Sequence, residues 1–501
     1  MRSSPLSEDI PKKRKQRHAA RAAPVVSKGS CWWRFTEAQS RWVAQWSPGL
    51  FCIVAAALGA AYGTLMPPLQ IPDEWAHLMR AYGVSQGSCI APVGTRIPEQ
   101  FFRFNDEYGG QIEQRRKVTP AEELRLLEGS LDEGRTEVLL NPAANLYSCV
   151  PYLPISAAIR VARLVHLSAA AIMYLCRAVN LGMYVFFTWL ALRLLPDFHV
   201  LLFSLALTPM ALHQAASASA DGLTISSSFL LCAYILRLTR GEGAGVVQRG
   251  EHATLAALFA LNALCKFNLW IVLMALLIPV ARFGSKRKRW LWFAGDVAVS
   301  CGAAALWQGL NWHNTLFYAD HLRSLEISLS GNLSFVVQHP GLYVRAVQNT
   351  LTVDGALLAR QFIGHLGWLT ITLPAWVIAG YWGLLAVVSL TQTSHALLSP
   401  RQRWLLLLVV LESGCSLFVL LWMNSTTAGY LSGSILYGTG MVGGLQGRYF
   451  IPLSFPALLL FSNTRLRLNP RWALAAAACC ACSASFAAYG AIWLAFYAPR
   501  A

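Results

Sequence analysis

The stretch 67-PPLQIPDEWAHLMRAYG-83 follows directly on a long apolar run and packs Asp73, Glu74, His77 and Arg80 into two helical turns. Beside a membrane, ionisable groups at this density mark either a helix start or a site. Pro72 suits the first position of a helix, and carboxylates are favoured in a first turn, so Asp73 and Glu74 fit a helix start on the plainest reading. Asp73 and His77, four apart, also share one helix face, with Arg80 three further on. A carboxylate beside an imidazole could deprotonate a hydroxyl. It could instead bind a divalent cation such as Mg or Mn, with Asp73 and Glu74 as the ligands. The chain lacks a second close His of the H-E-x-x-H kind, which argues against a zinc protease.

Working outward, the chain is 55% hydrophobic and 13% charged, against roughly 25% charged in a soluble domain. Apolar runs of bilayer length, about 20 residues, recur along it. The fold class is therefore all-α and polytopic; a β-barrel lacks such continuous runs. The basic segment "PKKRKQRHAAR" precedes the first apolar run, which ends in Pro-Pro and so reads as an uncleaved anchor rather than a cleavable signal. The basic tail and the net charge of +17 fit a solvated cytoplasmic tail that sets orientation rather than a nucleic-acid site. Most of the twelve cysteines lie inside apolar runs, where Cys behaves as a small hydrophobe. Cys89 and Cys149 alone fall in the long polar loop, and an oxidising compartment would let them pair.

Charge and length together predict a topology. Residues 1–48 are a basic cytoplasmic tail, 49–69 the first span, and 70–148 an extracytoplasmic region holding 12 of the 24 acidic residues. Residues 149–167, with Arg160, Arg163 and His166 on one side, suit an amphipathic helix in the interface. A transmembrane bundle over 168–309 has spans near 169–192, 198–216 and 222–239. The apolar stretch 253–282 is flanked by basic clusters on both sides, so it crosses twice as a hairpin tipped by Lys266. A span near 290–309 closes this bundle. An outer loop, 310–365, then leads to a C-terminal bundle over 366–501. Its spans fall near 366–390, 404–424, 448–464 and 472–496, eleven crossings in all, with a second outer loop over 425–447.

This arrangement gathers isolated polar residues on one face. Besides Asp73, Glu74, His77 and Arg80 it brings Asp221 of "SADGL", Lys266, His365 of "GHLGW", and Gln446, Arg448 and Tyr449 of "LQGRYF". The fork of Arg448 and the point charge of Lys266 suit phosphate oxygens. Arg80, Asp221, His365, Gln446 and Tyr449 are further candidates for holding a substrate or its phosphate. Each also has a plainer role, as an interfacial anchor, a snorkelling cation or a span end. Trp75, Trp312 and Trp368 could stack on sugar rings, although belt positions account for most tryptophans in such chains.

The ordered motifs "PPLQIPDEWAHLMRAY", "LTPMALHQAASASADGL", "CKFNLW", "FIGHLGWLTITLP" and "LQGRYFIPL" resemble a family of bacterial polytopic membrane proteins of unknown function, over roughly residues 50 to 465. That family is grouped by fold resemblance with the GT-C glycosyltransferases. The resemblance implies an acid after the first span that acts as base or metal ligand, and a sugar donor on a polyprenyl phosphate. On these residues Asp73 is the implied base and Glu74 its rival, while Lys266 and Arg448 have no certain GT-C counterpart. The implied activity is sugar transfer to an envelope glycan, lipid or protein at the outer face of the inner membrane. A flippase for a lipid-linked glycan, a non-catalytic assembly protein and a hydrolase of lipid-linked sugars remain open. The absence of a sustained repeat between the halves weakens a transporter built on inverted repeats.

Overall fold

The structure is a computed structural model that describes residues 37–141, 143–240, 245–266, 269–391, 398–424, 440–463 and 466–499. The basic tail up to residue 36 and most of the 425–447 loop lie outside the described residues.

The described residues are mostly helical. Among the described residues, six helices are long and apolar enough to cross a bilayer: α1 (Glu37–Leu65), α5 (Ala169–Leu194), α8 (Asp221–Arg240), α10 (Lys286–Leu310), α13 (Pro400–Met423) and α15 (Pro470–Phe496). Among the remaining helices are α2 (Glu74–Ser85), α3 (Pro120–Leu126), α4 (Leu153–Leu164), α6 (His199–Ala206), α7 (Pro209–Ala215), α9 (Arg249–Cys265), α11 (Pro340–Gly364), α12 (Ala375–Leu390) and α14 (Ile451–Leu459).

Several of the expected spans are not single continuous helices. The stretch 198–216 breaks at Leu207 and Thr208: Thr208 accepts from the amide of Ala211, and Pro209 opens a new helix. Pro cannot donate into a preceding turn, so this break follows from the sequence. The return limb after Lys266 is a 3₁₀ helix, Leu269–Leu277. The stretch 366–374 is a small hairpin, β3 (His365–Leu366) against β4 (Ile371–Thr372), ahead of α12. The first span also starts earlier than expected, at Glu37, with Pro48 inside it. The region 310–365 is largely helical, and it ends in the 25-residue α11.

The acidic region 70–148 is a small folded unit. Its ribbon pairs β1 (Gly94–Pro98) with β2 (Thr136–Leu140), antiparallel, and a Cys89–Cys149 disulfide joins its two ends. α4 packs along α2: the hydroxyl of Ser156 donates to the carbonyl of Ala81 at 2.9 Å, and Nε of Arg160 to that of Ser85 at 2.8 Å. Its 12 residues span about 18 Å, too short for a hydrocarbon core of about 30 Å.

This unit sits on one end of the bundle. Lys117 donates to the carbonyls of Leu494 and Ala495, and the amide of Val118 to that of Phe496, which satisfies the open carbonyls at the end of α15. At the end of α10, Trp307 and Asn311 donate to the carbonyls of Leu146 and Asn145. The ends of α1, α10 and α15 thus share one face with the acidic unit.

Candidate functional site

The site begins with an anomaly in the backbone. Asp73 precedes the first turn of α2, where a carboxylate ordinarily caps the helix by accepting from its free amides. It makes no such bond, and its backbone is left-handed, with φ 64°. Left-handed backbone costs most non-glycine residues about 1–2 kcal/mol and Asp or Asn less, and such conformations concentrate where a side chain must be aimed. Asp73 is aimed at Arg448: Oδ2 accepts from the guanidinium at 2.8 Å, across 375 residues of chain.

Arg448 is the hub. Its Nε donates to Gln446 Oε1 at 2.7 Å; one terminal nitrogen donates to Gln214 Oε1 at 3.0 Å and Asp221 Oδ2 at 3.4 Å; the other reaches Asp73. Lys266 closes the set by an ion pair with Asp221 Oδ1 at 2.5 Å. The ring of Tyr449 lies beneath both cations, 5.3 Å from Lys266 Nζ and 5.4 Å from the Arg448 guanidinium carbon, in the range for cation–π attraction. Arg448 is positioned from below by α11. The amide of Gly447 donates to Gln361 Oε1, and a Cβ at Gly447 would meet the carbonyl of Leu358 at 2.1 Å. Only glycine lets this turn approach the helix so closely.

The four charges differ in exposure. Side-chain exposure is 3% for Arg448, 10% for Asp221, 31% for Lys266 and 52% for Asp73. Asp73 is thus the member that faces outward. His77 lies one turn below it, with Nδ1 2.6 Å from the Tyr152 hydroxyl and its ring edge-on to Tyr147 at 5.2 Å. Burial pushes His77 down to about 4, outweighing the nearby carboxylates of Asp221 and Asp73, so the ring is neutral at pH 7.

The structure therefore brings together Asp73, His77, Asp221, Lys266, Gln446, Arg448 and Tyr449. The other candidates sit apart. Glu74 is completely buried, with both oxygens held by Arg177 at 2.8 and 2.6 Å and a further bond from the amide of Ala218. It faces the bundle, not the outward edge: Glu74 is the first helical residue of α2, whereas Asp73 before it has a left-handed backbone. Arg80 is buried with its guanidinium on the carbonyls of Ser88, Cys89 and Tyr147, so it pins the two disulfide-bearing segments together. His365 bonds Thr372 within its own hairpin. That hairpin meets the opening motif through Trp368, whose Nε1 donates to the carbonyl of Leu69 at 3.1 Å.

Sequence reading missed Arg177, Gln214, Tyr147 and Tyr152. Arg177 carried a usable signal, a lone charge inside an apolar run; the others carried none. As a divalent-cation site the cluster fits poorly. Asp73 and Asp221 both face Arg448, Glu74 belongs to Arg177, and no three His, Cys, Asp or Glu side chains converge among the described residues.

Fold and site together define a multi-pass helical membrane protein with a buried ionic cluster near one end of its bundle. The chain belongs to the family described as "Predicted membrane protein (DUF2142)", which matches residues 57–457. Comparison with curated proteins and with solved structures gives no match.

Proposed function

We propose that this protein is a membrane glycosyltransferase that moves a sugar from a polyprenyl-phosphate donor to an envelope glycan, lipid or protein acceptor. The observation that carries the reading is the outward-facing Asp73 carboxylate, released from helix capping and paired with the buried Arg448, in a cluster that also holds the part-exposed Lys266. In this reading an acceptor hydroxyl attacks the anomeric carbon of the donor. The bond from that carbon to the phosphate oxygen breaks, its electron pair leaves with the phosphate, and Asp73 takes the hydroxyl proton. Arg448 and Lys266 stabilise the departing phosphate electrostatically. Phosphate is already a good leaving group, so no general acid is required.

The proposal includes eleven crossings, the broken and 3₁₀ segments counted, with a cytoplasmic N-terminus and the site on the extracytoplasmic side. The Cys89–Cys149 bond supports this orientation, since disulfides persist in oxidising compartments. The "KRKR" run at the start of α10, at the end away from the acidic unit, agrees with the positive-inside rule.

The test is mass spectrometry of polyprenyl-phosphate-linked sugars and envelope glycans in cells with wild-type protein, no protein, or Asp73→Asn at matched expression. Transfer predicts that a lipid-linked sugar accumulates, and a glycan loses that sugar, in both the deletion and the variant. A wild-type profile in Asp73→Asn cells would move the flippase and assembly readings ahead.

A further inference from the structure

Arg448 offers five N–H groups in a rigid fork. Its Nε side is held by Gln446 and one terminal nitrogen by Gln214 and Asp221, all within the cluster. The remaining terminal nitrogen carries Asp73, whose side chain is 52% exposed. A ligand arriving from outside therefore meets the guanidinium where Asp73 already sits. Asp221 is anchored twice, by Lys266 and Arg448, whereas the Asp73 side chain has no other hydrogen-bond partner among the described residues.

Charge makes the same point. Asp73, Asp221, Lys266 and Arg448 sum to zero, and His77 is neutral. Adding an anion to this closed set would bury an unpaired negative charge, which is costly. If Asp73 swings out into water as the anion enters, the buried set is neutral again for a ligand of charge −1. A phosphodiester, in which one phosphate links lipid and sugar, has that charge.

We infer that Asp73 is a displaceable occupant of Arg448, and that the phosphodiester of a lipid-linked donor takes its place. The base is thereby freed only when the donor is seated. This rests on the reading that the site takes a phosphate, and it adds an order of events: donor first, then an unpaired carboxylate beside the acceptor hydroxyl. The Asp73 side chain makes no capping bond to α2, so the ion pair with Arg448 is the contact that the donor must exchange.

The experiment is calorimetric titration of the full chain in neutral detergent with dodecyl methyl phosphate, a singly charged phosphodiester. Wild type and Asp73→Asn are compared, with thermal unfolding as a check on folding. Asn tolerates left-handed backbone nearly as well as Asp, so the variant keeps the geometry and loses the charge. Displacement predicts that Asp73→Asn binds the probe about fivefold or more tightly than wild type, the worth of a half-exposed ion pair. Equal or weaker binding by a folded Asp73→Asn overturns the displacement and leaves a phosphate site standing. Failure of both proteins to bind overturns the phosphate reading itself.

Discussion

Glu74 and Arg177, 103 residues apart, meet as a bidentate ion pair with side-chain exposures of 0% and 1%. The same guanidinium donates to the carbonyls of Gly63, Met66 and Pro67, at and just beyond the end of α1. One arginine thus closes the first span, ties it to α5 and holds the start of α2. Removing either partner strands a buried charge, at a cost of about 3–5 kcal/mol. Glu74→Gln and Arg177→Met are expected to lower the unfolding temperature of detergent-purified protein markedly, while Asp73→Asn leaves it close to wild type. Equal destabilisation by Glu74→Gln and Asp73→Asn would remove the distinction drawn between the two neighbours.

Asp73 as general base makes a kinetic prediction. Loss of a positioned base typically lowers rate by about 10²–10⁴-fold. Asp73→Asn should do so in a transfer assay on membranes without altering expression or unfolding temperature. A variant that retains wild-type rate would assign the carboxylate to binding alone.

His77 gives an acid limb to stability. Its folded value is depressed by burial from 6.5 to about 4, so between those values the unfolded chain holds a proton that the folded chain does not. Stability then rises with pH across that window and is lost as pH falls through it. Unfolding temperature measured from pH 4 to 7 should show this slope, and His77→Gln should flatten it.

Glu123 works in the opposite sense. Burial raises its carboxyl from 4.5 to about 7, against the lowering effect of the Tyr497 hydroxyl. Tyr497 has one proton, yet its oxygen lies 3.0 Å from the Leu65 carbonyl and 2.9 Å from Glu123 Oε2. A protonated Glu123 can donate to Tyr497 while Tyr497 donates to Leu65, which satisfies all three. The folded state therefore holds the extra proton between 4.5 and about 7, and stability falls as pH rises through that range. Glu123→Gln should remove this fall and raise the unfolding temperature at pH 8 relative to wild type.

The Cys89–Cys149 bond spans 60 residues, and closing a loop of that length is worth about 4 kcal/mol in the chain-entropy model. Reduction, or Cys89→Ser with Cys149→Ser, is expected to lower the unfolding temperature and loosen the acidic unit, read as faster proteolysis within 85–148. Unchanged proteolysis after reduction would mean that Arg80 and α4 hold the unit unaided.

The membrane class and the candidate charged residues were legible in the sequence, because both depend on composition along the chain. Apolar length selects crossings, and isolated charges in apolar surroundings persist only where partners or water await them. Asp73, Asp221, Lys266 and Arg448 could be singled out on that ground, and Asp221 read as either a span end or a partner of one of the cations, but not which cation meets which carboxylate. Tertiary structure alone decided that Arg448 joins Asp73 to Asp221 and that Glu74 turns inward to Arg177. It also decided that Arg80 serves the backbone. Adjacent carboxylates in one motif are indistinguishable by type. Their roles separate only when folding points successive side chains in different directions and supplies each with a partner more than a hundred residues away.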